Sequence, residues 1–258
     1  MTSPIPTSLA ARLESQEAVL GAWMFLREPM AAEVASKAGY DYVCVDMQHG
    51  LMDFDMATQM LTHINTGDAF PVVRATSIDP ALMGRLIDSG ALGVIVPMVN
   101  TVAQAITAVR ACRYTPIGDR SVGPIGASMR YGGSYFETAQ TTVTVMPMIE
   151  TVEALGNVEA IAAVEGVGAL YVGPSDLSMS MGYPAEADQP DADFDAALRR
   201  VVAACKANGV IPGIHAAPEL VEKRRGQGFT MITVGYDYQP MVAGIRGDLK
   251  ASQGFLRS

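Results

Sequence analysis

Asp46 and His49 stand three residues apart in Tyr42-Val-Cys-Val-Asp46-Met-Gln-His49-Gly50, where an apolar run rich in β-branched residues stops abruptly at polar groups. An aspartate within reach of a histidine fixes the ring's tautomer and raises its basicity, which is what a general base needs. A helix cap beside a solvated histidine has the same spelling, so the reading depends on how other apolar runs end. Pro71-Val-Val-Arg74, Met148-Ile149-Glu150 and Gly173-Pro-Ser175-Asp176 end on charge, and a later run ends near His215. Trp23 and Pro97 end two others as neutral groups. Glu150 and Asp176, placed on adjacent strands, would repel each other unless something sits between them. A divalent cation is the simplest remedy, because two carboxylates completed by water and a chelating substrate suit Mg²⁺ or Mn²⁺. Each residue also has a plain structural reading. Glu150 and Asp176 are candidate helix caps, Arg74 a structural ion pair, and His215 a surface histidine before Pro218. Five polar groups at strand ends together favour chemistry over five separate structural roles.

The elements that must position these groups alternate along the chain. Strands are expected at Val19–Phe25, Tyr42–Asp46, Phe70–Arg74, Leu92–Pro97, Val143–Ile149, Gly168–Val172, Val210–Ile214 and Thr230–Val234. Each is followed by a helical segment. Asp53 is placed to cap the one from Phe54, and Leu82, Leu86 and Ile87 share a buried face in another. Strands alternating with helices imply a parallel sheet. Eight repeats in 258 residues favour a single-domain (β/α)₈ TIM barrel over an open sheet. No Gly-x-Gly-x-x-Gly turn follows the first strand, which weakens the dinucleotide-binding alternative. The barrel is expected to take the whole chain, residues 1–258, with a short N-terminal arm over about 1–17. The segment Arg113–Gly133 is rich in Gly and Pro and lacks periodicity, so it reads as a long functional loop.

Composition narrows the partners. A net charge of −9 argues against nucleic acid or an anionic membrane. Cys44, Cys112 and Cys205 are too few and too scattered for a disulfide framework or a zinc site. No apolar run approaches the roughly 18 residues of a membrane span, and no secretion signal is visible. A cytoplasmic protein is the expectation.

Six blocks occur in order: Asp46-x-x-His49-Gly, Pro71-Val-Val-Arg74, Val96-Pro97-Met98-Val99, Arg120-Ser-Val-Gly123, Ile149-Glu150-Thr151 and Gly173-Pro-Ser175-Asp176-Leu-Ser178. The chain from about Leu20 to Gly247 thereby resembles the HpcH/HpaI family of class II pyruvate aldolases, such as 4-hydroxy-2-oxoheptanedioate aldolase. The resemblance implies a (β/α)₈ barrel in a homo-oligomer, a hexamer or a trimer. It implies a metal-dependent carbon–carbon lyase that makes or cleaves 4-hydroxy-2-oxo acids through a pyruvate enolate and an aldehyde. Carried over, Glu150 and Asp176 match metal ligands for Mg²⁺, Mn²⁺ or Co²⁺. The amides of Ser175 and Asp176 match those that hold the 2-oxo acid's carboxylate, His49 oriented by Asp46 matches the base, and Arg74 sits beside the keto oxygen. Trp23 and His215 join the substrate-binding set. Asp88, in Leu86-Ile-Asp88-Ser-Gly90, matches an acidic residue that reaches a neighbouring subunit's site. A lysine Schiff base is disfavoured, since Lys37, Lys206, Lys223 and Lys250 all fall on expected helices. Three positions depart from the family pattern: Gln48 where Glu is frequent, Met148 where Gln is frequent, and His215 where an apolar residue is typical. The alternatives are a related 2-oxo acid decarboxylase, a citrate-lyase-like thioester lyase, or a non-catalytic 2-oxo acid binding protein.

Overall fold

Strands buried on both faces read as continuous apolar runs, and here those runs fold into a closed barrel. The computed structural model describes residues 5–256; Met1–Pro4 of the expected arm lie outside the described residues. The strands are β1 (Val19–Met24), β2 (Tyr42–Asp46), β3 (Phe70–Arg74), β4 (Gly93–Val96), β5 (Thr144–Ile149), β6 (Ala169–Val172), β7 (Ile211–His215) and β8 (Met231–Tyr236). Each pairs in parallel with the next, and β8 closes onto β1, giving a single-domain (β/α)₈ barrel. All five residues of β2 and of β3 are buried. The register sets Asp46 beside Arg74, His215 beside Thr233 and Trp23 beside Tyr236.

Helix boundaries follow local chemistry. Asp53 accepts the Met56 amide and opens the Phe54–Ile64 helix, while Asp79 accepts the amides of Ala81 and Leu82 and opens Pro80–Asp88. Thr101 and Gln104 form a reciprocal capping box before Val102–Cys112. Two segments differ from expectation. The helical segment expected after β5 is split at Asn157 into Val152–Gly156 and Val158–Ala162, and the Asn157 side chain donates to the Asn100 carbonyl at 2.8 Å. The segment 113–133 contains a helix, Ile125–Tyr131, followed by Ser134–Thr142. Its arginines tie it to the barrel: Arg113 donates to the Val143 carbonyl, Arg130 to the Ser89 carbonyl and Arg120 to Asp88.

The barrel interior holds two tyrosine rings. Tyr42 projects inward over Gly21, where any Cβ would collide with the ring, and Tyr171 lies 2.8 Å from where a Cβ on Gly213 would sit. The last helix, Tyr238–Leu256, contrasts with the rest of the chain. Met241, Ile245 and Leu249 are 48%, 62% and 58% exposed, an apolar stripe at helical spacing that no described residue covers. The three cysteines are free and buried. Among the described residues no helix is long and apolar enough to cross a membrane.

Candidate active site

The C-terminal ends of the strands converge on a cavity of about 140 Å³ lined by Trp23, Phe25, His49, Arg74, Met148, Tyr171, Gly173, Pro174, Ser175, Asp176 and His215. This is the end of a barrel where chemistry is built. Six of the residues singled out in the sequence therefore meet in one wall. Asp46 lies buried behind Arg74, and Glu150 behind Gly173.

Asp46 is wholly buried, and its two carboxylate oxygens accept five donors. Arg74 donates through Nε at 2.9 Å and Nη2 at 2.5 Å, Trp23 through Nε1 at 3.1 Å, and the amides of Gln48 and His49 at 2.9 and 3.3 Å. Burial pushes this carboxyl up, but the hydrogen bonds and charge of Arg74, with Trp23, outweigh it and hold the group below its ordinary value. The expected orientation of the His49 ring by Asp46 is corrected here. Asp46 is consumed by Arg74 and Trp23 and touches His49 only through its backbone amide. It thus fixes the loop that carries His49, whose exposed ring has no hydrogen-bond partner among the described residues.

Glu150 is buried, and among the described residues no cation forms an ion pair with it, although the charge of Arg74 reaches it. Its Oε1 accepts the Met98 amide at 2.6 Å, and its Oε2 occupies the space over Gly173, 2.7 Å from where a Cβ would lie. Met98 delivers that amide from a left-handed backbone, φ 56°, unusual for a non-glycine residue. Burial raises the Glu150 carboxyl above its ordinary value; the Met98 amide partly offsets this, and the negative charge of Asp176 raises it further. Glu150 is not a helix cap, since Thr151 does the capping with its own hydroxyl. Asp176 lies in the first turn of the Pro174–Ser180 helix, which has no side-chain cap. In that turn the first amide bonded back to the backbone is that of Leu177, to the Gly173 carbonyl, leaving the Ser175 and Asp176 amides for a ligand. Two carboxylates close enough to feel each other's charge, one of them destabilised as an anion, are a donor set that fits a hard divalent cation. Among the described residues no three His, Cys, Asp or Glu side chains gather as a full ligand shell. A cation held by these two carboxylates would need water and substrate oxygens to complete its shell, as is usual for Mg²⁺.

His215 packs edge-on against Trp23, ring centroids 4.8 Å apart, and is 2.7 Å from the Tyr236 hydroxyl through Nε2. Burial, helped by the charge of Arg74, lowers its pKa to about 4, so the ring is neutral at pH 7. It is therefore not the surface histidine of the plain reading. Asp88 is not brought to this mouth: it pairs with Arg120 at 2.6 Å beside a separate outer depression with Arg85 and Arg110. The sequence reading passed over Tyr171, Tyr236 and Met98. Tyr171 is embedded in an apolar run and read as core, Tyr236 falls two residues past the expected end of its strand, and Met98 contributes only an amide.

A barrel with acid–base groups, a clamped arginine and paired carboxylates at one mouth defines an enzyme. The chain belongs to the HpcH/HpaI aldolase/citrate lyase family, whose model matches residues 19–243, and it is accordingly a carbon–carbon lyase of aldolase type. It is 37% identical over 228 residues to a hydroxypyruvate/pyruvate aldolase of Rhizorhabdus wittichii, covering 88% of this chain and 91% of that protein. It is 36% identical over 245 residues to a 2-dehydro-3,6-dideoxy-6-sulfogluconate aldolase of Pseudomonas putida, covering 94% and 95%. The crystal structure of an HpcH/HpaI aldolase/citrate lyase family protein from Burkholderia cenocepacia superposes with a TM-score of 0.86 at 33% identity, covering 95% of this chain and 98% of that one.

Proposed function

We propose that this chain is a divalent-metal-dependent aldolase that makes or cleaves 4-hydroxy-2-oxo acids through the enolate of pyruvate. The observation that carries the reading is the pair Glu150 and Asp176, two carboxylates at one mouth with no protein cation bonded to Glu150, beside an arginine already neutralised by Asp46. A cation such as Mg²⁺, Mn²⁺ or Co²⁺ held by these two side chains would supply Lewis acidity to the carbonyl of a bound 2-oxo acid. The Ser175 and Asp176 amides take the carboxylate. Arg74 gives Nε and Nη2 to Asp46, leaving Nη1 as a donor toward the keto oxygen, where negative charge develops. His49 takes a proton from the methyl carbon, and the enolate then adds to the aldehyde; the reverse sequence cleaves the aldol bond. Trp23, Phe25 and Tyr171 keep that end of the cavity apolar.

Chelation by EDTA should abolish retro-aldol cleavage, and Mn²⁺, Mg²⁺ or Co²⁺ should restore it. His49→Ala should lower turnover by roughly 10²–10⁴-fold with metal affinity little changed. Full activity after exhaustive chelation, with borohydride trapping pyruvate on a lysine, would overturn the reading. Metal-stimulated exchange of pyruvate methyl protons separates an enzyme from a protein that only binds 2-oxo acids. The bare stripe on Tyr238–Leu256 supports assembly with further copies of this chain, as a trimer or hexamer in which Asp88 borders a neighbour's mouth. Analytical ultracentrifugation reads the assembly state directly.

A further inference from the structure

Beyond Met24 the first strand leaves the sheet: its last partners are Val45 on β2, opposite Met24, and Tyr236 on β8, opposite Trp23. The amides of Phe25 and Leu26 therefore have no neighbouring strand to accept them. One carboxylate oxygen takes both. Asp237, the residue between β8 and the last helix, accepts the Phe25 amide at 2.9 Å and the Leu26 amide at 2.8 Å through Oδ2. Its own amide donates to the Trp23 carbonyl at 3.3 Å, so the end of β1 is clipped from both directions. Oδ1 is buried and bonded to nothing among the described residues. Burial pushes this carboxyl above its ordinary value, and the amides of Leu26 and Phe25 offset that only in part. A buried carboxylate with one oxygen unused is a destabilising way to end a strand, and the mechanism above gives it no part.

What the clip holds is the cavity wall. Phe25 lines the cavity, and an apolar ring on a turn has no polar atom to fix it. Its place is set by its backbone and by two rings, Tyr236 stacked at 5.9 Å and Tyr238 edge-on at 5.7 Å. The other rings of that wall have polar anchors of their own: Trp23 donates to Asp46, Tyr171 is 2.6 Å from the Thr233 hydroxyl, and His215 is 2.7 Å from the Tyr236 hydroxyl. The Phe25 carbonyl also accepts the Leu51 amide at 2.9 Å, beyond the loop that carries His49. That loop keeps a separate anchor, since Asp46 accepts the amides of Gln48 and His49. We propose that Asp237 is a positioning residue for the aldehyde, pinning the turn after β1 so that the Phe25 ring forms a fixed apolar wall for the acceptor's carbon chain. This rests on the aldolase reading above. Asp237 itself does not line the cavity; it acts through Phe25. The acceptor rather than the 2-oxo acid is concerned, because Phe25 offers no polar atom, whereas the Ser175 and Asp176 amides and Arg74 serve the 2-oxo acid.

The test uses pyruvate, Mn²⁺ and propanal, an aldehyde with only a carbon chain to lay on that wall. Asp237→Ala should raise the propanal KM by about tenfold, while metal-stimulated exchange of pyruvate methyl protons, which needs no acceptor, stays within about threefold of wild type. Phe25→Ala should raise the same KM to a like extent, and the double variant should be no worse than the worse single one, because the two residues act as a unit. Asp237→Asn keeps an oxygen for both amides and should return the KM to near the wild-type value, even where stability falls. Additive losses, equal loss of exchange and of propanal use, or no recovery in Asp237→Asn would each show a merely structural role and overturn the assignment. Should Asp237→Ala not fold, Asp237→Ser, whose shorter hydroxyl cannot hold both amides, takes its place in the same cycle. If the wild type shows no metal-stimulated exchange, the aldolase reading falls and the positioning role with it. Wild-type exchange with an unchanged propanal KM in Asp237→Ala sinks the positioning role alone.

Discussion

Two carboxylates at the same mouth, Asp46 and Glu150, are both essentially removed from water, yet burial leaves them in opposite states. Asp46 is surrounded by a bidentate guanidinium, an indole N–H and two amides, and its carboxyl lies below the ordinary value. Glu150 has one amide, a like-charged neighbour and only the unbonded charge of Arg74, and its carboxyl lies above it. The desolvation is common to both, so the partners decide the outcome. The Asp46 corner is a finished structural device that aims Arg74 and anchors the His49 loop. The Glu150 corner is electrostatically incomplete, and the cation of the proposed mechanism would complete it.

The contrast can be broken most directly by mutation. Asp46→Ala leaves Arg74 buried without its counter-charge and should destabilise the fold by about 3–5 kcal/mol. Glu150→Gln, nearly the same shape, should leave metal-free stability unchanged or improved. Urea unfolding in EDTA reads both, and equal losses would erase the distinction. A somewhat smaller effect extends the comparison to a half-buried group. His215 takes up a proton only near pH 4 when folded, against about 6.5 when unfolded, so its contribution is complete above pH 6.5. It is lost as the pH falls toward 4, by about 3 kcal/mol. Unfolding curves of wild type and His215→Leu should therefore converge over that window; parallel curves would mean the ring is not held neutral. The smallest effect sharpens the Glu150 side. Mn²⁺ at a hundredfold over its dissociation constant should stabilise the wild type by about 2.7 kcal/mol and Glu150→Gln by far less. Identical thermal shifts would place the cation elsewhere.

The barrel was legible because each strand is a short apolar run and each end is marked by a charge or a turn, so β2 and β3 match their expected spans residue for residue. Trp23, His49, Arg74, Ser175, Asp176 and His215 were legible for the same reason, since strand ends in a barrel share one face. The wiring between them was not. That Asp46 serves Arg74 rather than the His49 ring depends on strand register, which pairs residues 28 apart. The break at Asn157 depends on a carbonyl 57 residues away. The tyrosine hydroxyls were hidden because an inward-facing Tyr in an apolar strand reads like Phe until its neighbours across the barrel are known.

Met98 has a consequence of another kind. Its side chain is 47% exposed, so packing does not demand its left-handed backbone, which costs a non-glycine residue about 1–2 kcal/mol. The conformation secures the amide that grips Glu150. A search for more heat-resistant variants would be drawn to glycine or asparagine at this position, where that conformation is cheap. Such variants would gain stability at the point where the backbone fixes a carboxylate. Residue 98 is therefore a place where selection for robustness and selection for turnover pull the chain in different directions.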